Sequence, residues 1–445
     1  MKRQCVLLWF WAFAAVVMSQ NPICPEGTFF SDPQARVWDR HVYLYGSRDE
    51  RAGQWCSHDN DVLSSDLSMI QWKLHRDVLS SRGPNDEIAG TDALLFASDC
   101  FRLDSLYHLV YCTPDHNHAE GIAVSSSPTG PFYKGKQIVG PTEIDPSVFI
   151  DDDGSVWLFW GQYSLKAARL KPDLSGIDST TYHEGILTRQ EHFFHEGVQA
   201  FKRGDTYYLC FADESRAQRP TCLGYATAKS LLGPYTYQGV IIDNDGCDPH
   251  NWNNHGSVVQ VGNDWYVFYH RATNGTSVFR KACVEPITFD SQGLIPEVLP
   301  TTNGVAPLLN PAEATEARRA CHLTGQLRVT TLPDGQERLT HISDGDEAVF
   351  RYYRFPRRRL KYAMLSLQVS SPMQVEVSVG EVRVASAKVE PTDTMQTVVL
   401  PLEVRPPRGR QTVRIRFHGN PMSAQMEAFK FKRESHNSIF KYYKS

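Results

Sequence analysis

Read for its alternation of apolar and polar positions, the chain repeats one grammar five times. Each unit opens on an acidic residue or a histidine, runs on as a short apolar strand, turns, and returns as an aromatic-rich strand. The units are FSDPQARVWDRHVYLYGS from Phe30, TDALLFASDCFRLDSLYHLVYC from Thr91, IDPSVFIDDDGSVWLFWG from Ile144, HEGVQAFKRGDTYYLCFA from His195 and HGSVVQVGNDWYVFYHR from His255. Trp38-Asp39-Arg40, Asp104-Ser105, Asp153-Gly154, Gly204-Asp205 and Gly262-Asn263 separate the two strands. Asp-Gly, Gly-Asp and Gly-Asn tolerate the positive φ of a tight hairpin. A third strand then enters a bend, as in SSSPTGPF (125–132), AKSLLGPY (228–235) and SSDLSMIQW (64–72). Gly-Pro ends that strand and starts a fourth, outer one. Short strands rich in Val, Tyr, Phe and Trp, with no helical period nearby, are all-β. Four strands per unit at this spacing predict propeller blades, so five units predict a five-bladed β-propeller over 27–307.

Beyond Pro307 the pattern changes. Residues 308–320 read as a linker. From Cys321 to Arg433, runs such as Val375-Glu376-Val377-Ser378-Val379 and Val413-Arg414-Ile415-Arg416-Phe417 alternate strictly. That is the signature of antiparallel strands with one solvated face, here a smaller β-sandwich. Residues 434–445 read as a loose tail.

The N-terminus differs from the rest. Met1-Lys2-Arg3 is basic, Val6 to Met18 is uncharged and apolar, and Ser19-Gln20 precedes polar sequence. This is the anatomy of a signal peptide over residues 1–20, too short for a comfortable membrane span, and it predicts a secreted or periplasmic protein. Net charge is −4, from 46 basic and 50 acidic residues. That balance argues against a nucleic-acid or anionic-membrane partner. Of ten Cys, Cys5 leaves with the leader and nine remain, too sparse for a disulfide scaffold. Cys100 with Cys112, or Cys210 with Cys222, flank hairpins and are open as cross-strand pairs.

The first strand of each blade lines the central channel of a propeller, so the residues that begin those strands converge at one mouth. Here they are Asp32, Asp92, Asp145, Glu196 and His255, spaced by 60, 53, 51 and 59 residues. Clustered carboxylates raise the proton affinity of at least one member. Glycoside hydrolysis needs such a set: one carboxylic acid to protonate the leaving oxygen and one carboxylate opposite. Separate blades suit the wider, inverting spacing that admits a water. Each acid taken singly also fits a strand cap, and for Asp92 the cap and a contact to sugar hydroxyls stand level.

At these residues the chain resembles glycoside hydrolase family 43, the five-bladed arabinofuranosidases, xylosidases and arabinanases, over roughly Gly27 to Gly304. Asp32 in FSDP, Asp145 in EIDPSVFIDDDG and Glu196 in HEGVQAFKRGDTYYL carry the resemblance. It implies that Asp32 is the general base, that Asp145 tunes and orients the acid, and that Glu196 is the general acid. His255 in HGS is implied to line the channel and to help hold a calcium ion or an ordered water. Arg280 in FRKACVEPITFDSQG matches an arginine that binds sugar hydroxyls. Val198 stands where the family favours Pro. No cofactor is required on this reading, and a structural calcium ion through His255 is the one metal expectation. DNDGCD (243–248) lacks the distal Glu of a calcium loop and reads as a plain loop. His116, His118, His183, His192 and His195 show no zinc spacing and read mostly as exposed loop or subsite residues. Of Trp55, Trp157, Trp160, Trp252 and Trp265, one or two near the blade mouths suit stacking on a sugar.

The C-terminal segment resembles the family-6 carbohydrate-binding sandwiches, but no Trp follows Trp265, so a buttressing role stands beside a binding one. The expected partner is an oligosaccharide or polysaccharide, and the chain is expected to act as a monomer. The leading function is an inverting α-L-arabinofuranosidase on plant cell-wall polysaccharide. β-Xylosidase, arabinanase or galactan-trimming activity remain open, as does a propeller that binds sugar without catalysis.

Overall fold

The computed structural model describes residues 20–216, 219–357, 359–419 and 424–433. The expected leader up to residue 19 and the expected tail 434–445 lie outside the described residues. Blade 1 is β1 (Ser31–Trp38), β2 (His41–Ser47), β3 (Asp59–Asp66) and β4 (Lys73–Ser80). Blade 2 is β5 (Phe96–Leu103), β6 (Leu106–Cys112), β7 (Glu120–Ser125) and β8 (Tyr133–Gln137). Blade 3 is β9 (Ser147–Ile150), β10 (Val156–Trp160), β11 (Ser164–Arg169) and β12 (His183–Thr188). Blade 4 is β13 (Phe194–Arg203), β14 (Thr206–Asp213), β15 (Cys222–Ala228) and β16 (Thr236–Asp243). Blade 5 has three strands of its own, β17 (Ser257–Val261), β18 (Asp264–Arg271) and β19 (Lys281–Ile287).

Each sheet runs in sequence order through antiparallel neighbours. The inner strands touch around a ring, β1 with β5, β5 with β9, β9 with β13, β13 with β17, and β17 with β1. Five apolar clusters fill the five blade-to-blade contacts, for example Tyr45 and Val62 against Leu109 and Tyr111, or Phe159 and Leu187 against Leu209 and Phe211. A blade is therefore buried on both faces, which is why its middle strands read as continuous runs such as VWLFW.

The fourth position of blade 5 is taken by the N-terminal segment. Ile23 N–H donates to Ala282 O (3.0 Å), Phe30 N–H donates to Arg280 O (2.9 Å), and Phe30 bridges Lys281 in parallel. The Asn21 side chain accepts from Val284 N–H (2.9 Å) and donates to Val284 O (3.0 Å). The ring is thus closed by its own beginning.

The C-terminal module is a sandwich. One sheet runs β22 (Arg328–Thr331), β23 (Glu337–Thr340), β30 (Gln425–Lys432), β25 (Tyr362–Gln368), β28 (Gln396–Pro401), with β20 (Thr315–Glu316) pairing β30. The other runs β21 (His322–Leu323), β24 (Glu347–Phe355), β29 (Gly409–His418), β26 (Met373–Val379), β27 (Val382–Val389). The stretch 308–320, read as a linker, belongs to this fold: Leu309 bridges Tyr353, β20 joins a sheet, and Ala317, Arg318 and Arg319 are buried. The cysteine pairs do not form either. Cys100 faces Leu109 and Cys112 faces Phe96; Cys210 faces Tyr225 and Cys222 faces Asp213. Register separates them, and all nine described cysteines are buried and unpaired.

The sandwich grips the closing seam. Arg271 donates to Ala320 O (2.6 Å) and Arg318 O (3.0 Å), and Thr302 N–H donates to Arg351 O (2.6 Å). Lys281 on the seam pairs with Glu337 of β23, both side chains fully buried, and Glu337 also accepts from Gly27 N–H (2.9 Å). Removing one member of a buried pair strands the other charge, at about 3–5 kcal/mol. Glu337→Ala is therefore expected to lower stability by about that amount, read by denaturant unfolding. Deleting 321–445 is expected to reduce soluble yield more than affinity for a soluble substrate, and strong polysaccharide binding by the isolated module would contradict this.

Candidate active site

The inner strands begin at one mouth of the channel, and their opening residues gather there. Asp32, Asp145, Glu196, His255 and Arg280 line one cavity of about 250 Å³, with Trp55, Phe96 and Trp252 adding aromatic surface. Asp92 does not join them. It is exposed in the loop before β5, whose first residue is Phe96, and Ala97 lines the cavity for blade 2. The correction is one of register. Two or three residues further along the inner strands a second polar ring bonds the blades together. Ser147 Oγ (3.2 Å) and Val148 N–H (2.9 Å) donate to Asp99, Val258 N–H donates to Gln199 Oε1 (3.1 Å), and Ala35 N–H donates to Ser257 Oγ (2.9 Å). Blade 2 spends its carboxylate, Asp99, on that ring, paired with Arg36.

Asp32 and Asp145 both sit in the left-handed region, at φ 55° and 61°. Such strain in a non-glycine residue persists only where surrounding contacts over-determine it, as they do in functional sites. Asp32 Oδ1 accepts from Arg280 Nη1 (2.8 Å) and Oδ2 from Ser47 Oγ (2.6 Å). Burial pushes its proton affinity up, but the Arg280 guanidinium, His255, His270 and the Ser47 hydroxyl together outweigh burial and hold the pKa at about 2. Arg280 is fixed in turn by Asp49, at 2.9 Å from Nε and 2.8 Å from Nη2, with its guanidinium 4.7 Å from the Trp55 ring centre. His270 Nδ1 accepts from Asp32 N–H (3.1 Å), and burial first, then Arg280, lowers its pKa to about 3, so the ring is neutral.

Asp145 has the opposite fate. Burial and the negative charges of Glu196 and Asp32 raise its carboxyl well above the usual range, Arg280 offsetting only part. His255 Nδ1 lies between the two aspartates, 3.6 Å from Asp32 Oδ1 and 3.8 Å from Asp145 Oδ2. Glu196 Oε2 accepts from Gln162 Nε2 (2.7 Å). Gly197 lets the Glu196 strand run against His255: at φ 65°, an added Cβ would lie 2.9 Å from the imidazole ring. One carboxylate held ionised beside a repelling carboxyl pair is an acid–base constellation.

Other expectations are corrected by burial. His118, His192 and His195 are buried, and only His116 and His183 are exposed. Among the described residues no group of three or more His, Cys, Asp or Glu is arranged to hold a metal ion. Around His255, Gln34 Nε2 lies 3.3 Å from His255 Nε2 and Gln34 Oε1 is buried without a partner, so the protein offers one free oxygen there and a calcium ion would take its remaining ligands from water. Asp49, Gln162, Ser47 and His270 were not singled out by the repeat, because they stand at or just past the end of the second strand of a blade and not at an opening.

The sequence profile described as Glycosyl hydrolases family 43 matches residues 19–295. The chain belongs to that family. It is a glycoside hydrolase, and its chemistry requires no cofactor. It is 29% identical over 334 residues to a xylosidase/arabinosidase of Thermoclostridium stercorarium, covering 64% of this chain and 68% of that one. It is 24% identical to an arabinoxylan arabinofuranohydrolase of Bacillus subtilis, covering 71% and 72%. Among solved structures, a family 43 β-xylosidase/α-arabinofuranosidase from a compost metagenome, in complex with xylotriose and calcium-free, superposes at TM-score 0.54 with 26% identity, over 63% of this chain and 97% of that one. An arabinoxylan arabinofuranohydrolase from B. subtilis in complex with cellotetraose shares the fold across both modules, at TM-score 0.54 and 21% identity over 94% of this chain and 99% of that one. These relatives make this family 43 chain a pentose-removing hydrolase at the level their names share.

The ionisation of Asp32 depends on Arg280. In Arg280→Met the largest of the groups that oppose burial is lost, so Asp32 takes up its proton at higher pH. The acid limb of the kcat/KM profile is expected to move upward by about 1–3 units. A limb that stays in place would show that Asp32 does not set it.

Proposed function

We propose that the chain is an inverting exo-acting α-L-arabinofuranosidase of plant cell-wall polysaccharide. The observation that carries the mechanism is the contrast in the cavity: Asp32 is held ionised by Arg280, while burial and the neighbouring charges of Glu196 and Asp32 raise the proton affinity of Asp145. Asp32 acts as general base and takes a proton from the attacking water. Glu196 acts as general acid and gives its proton to the leaving oxygen. Asp145 tunes and orients Glu196 from the same cavity. Arg280 and His255 meet sugar hydroxyls from the channel side, and the Trp55 and Trp252 faces suit the apolar face of the ring. A cavity below the roughly 300–1,000 Å³ of drug-sized sites holds one sugar residue, which supports action at a chain end.

The choice of arabinofuranose over xylose is supported by how far the relatives extend. The matches to two arabinoxylan arabinofuranohydrolases cover 71% and 75% of this chain, while that to a β-xylosidase covers 61%. Hydrolysis rates on aryl α-L-arabinofuranoside, β-D-xyloside and β-D-galactoside test the choice, with the first expected to be fastest. Export and action as a monomer are proposed with this reading. The basic and apolar pattern of residues 1–20 supports export, which N-terminal sequencing of the mature protein checks.

Glu196→Gln is expected to nearly abolish cleavage of natural linkages and to spare activated aryl glycosides, whose leaving groups need little protonation. Asp32→Asn is expected to disable both, because the water needs its base whatever departs. Each group contributes on the order of 10²–10⁴ in rate, so the contrast is measurable. The first-formed product observed by NMR should have inverted anomeric configuration.

A further inference from the structure

Behind Glu196 lies a chain of side chains that the mechanism above does not use. His195 is only 3% exposed, and its Nε2 has no hydrogen-bond partner although it lies 3.6 Å from Glu196 Oε2. Its Nδ1 lies 3.2 Å from Glu214 Oε2. Glu214 is held in turn by Arg189, whose Nη2 donates to it at 3.1 Å and whose Nε bonds its other oxygen. Arg189 opens the short helix Arg189–His192 and lies 4.9 Å over the Tyr163 ring. The edges of Tyr163 (4.9 Å) and Trp252 (5.8 Å) enclose the imidazole, and Tyr163 N–H donates to His195 O (2.7 Å).

The tautomer follows from these partners. An ionised carboxylate only accepts, so Glu214 places the imidazole hydrogen on Nδ1 and leaves Nε2 as a lone pair. Glu214 is at the same time ion-paired with Arg189. Facing the lone pair is Glu196 Oε2, which also accepts from Gln162 Nε2 (2.7 Å), and beyond it stand Asp145 and His255. A lone pair opposite a carboxyl group stabilises the protonated form of that group. The 3.6 Å separation is longer than a hydrogen bond, but catalytic bonds are often long before substrate binds.

We propose that His195, its Nε2 lone pair oriented by Glu214, accepts the hydrogen of the Glu196 carboxyl group and so keeps the acid loaded at neutral pH. His195 is a positioning residue on this account, and the account rests on Glu196 being the acid. When Glu196 passes its proton to the glycosidic oxygen, the lone pair then faces a carboxylate. That mismatch favours renewed uptake of a proton from water before the next turnover.

The test is the pH profile of kcat/KM for His195→Phe and Glu214→Gln on a natural-linkage oligosaccharide and on an activated aryl glycoside. Phe removes the acceptor. Gln can donate to Nδ1, which turns Nε2 into a donor that favours ionised Glu196. Both variants are expected to move the alkaline limb on the natural substrate down by about one unit, a tenfold loss above the limb, and to leave the aryl profile in place. His195→Gln, which restores a carbonyl acceptor, is expected to recover part of the shift. A limb that stays, or that moves up as it would if His195 were an imidazolium, overturns the proposal. Glu196→Gln on the same two substrates separates the two failures: unequal losses keep Glu196 as the acid and leave only the His195 role refuted, whereas equal losses remove both. Thermal melting of each variant identifies one that is misfolded, and the remaining variant then decides.

Discussion

A propeller has to close on itself, and here one arginine serves both the closure and the chemistry. Phe30 of the N-terminal segment bonds to the backbone of Arg280, while the Arg280 guanidinium reaches Asp32 on β1 and Asp49 beyond β2. The seam between blade 5 and blade 1 is therefore fastened by a buried cation shared between two carboxylates. Neither carboxylate would be tolerable at that depth alone, since burying an unpaired charge costs several kcal/mol. The sandwich reinforces the same place through Lys281 and Glu337, one residue along from the arginine.

That geometry makes the cavity asymmetric. Carboxylates from three blades meet in one apolar funnel, and burial raises the proton affinity of each that it affects. On the seam side a guanidinium, a hydroxyl and two imidazoles reverse the effect. On the far side Asp145 donates its backbone N–H to the Cys112 thiol, and Arg280 offsets only part of the effect of burial and of the repulsion of its neighbours. Different proton states at neutral pH thus arise from where each blade stands relative to the closure.

The sequence was legible where the blade repeat applies. Asp32, Asp145, Glu196 and His255 open inner strands, and ring geometry brings strand openings together whatever lies between them. Arg280 came only through the family resemblance, since it lies outside an inner strand. Asp92 misled because TDALLF looks like a blade opening, yet the strand starts five residues after Thr91 and Ala97 takes the position at the mouth. The seam was hidden for a different reason: nothing local in residues 21–30 marks a strand whose partner is β19. The buried His195 and its link to Glu214 were equally out of reach, because a histidine next to a glutamate reads the same whether its ring faces solvent or protein. The stretch 308–320 looked like a connector from its composition, and only the core it completes reveals it as structure.

The closing contacts span great distances along the chain: the Asn21 side chain bonds to Thr301, 280 residues away. The earliest part of the described chain to leave the ribosome is thus among the last to find its place. Four blades can assemble progressively as they emerge, since each pairs strands that are close in sequence, but the ring stays an open arc until residues near 300 are made. During that interval the seam faces of blades 1 and 5, with Phe30, Leu44 and Phe268 among them, lie uncovered. Contacts of this range also slow folding, so the open arc is the species from which aggregation or capture by a chaperone would begin.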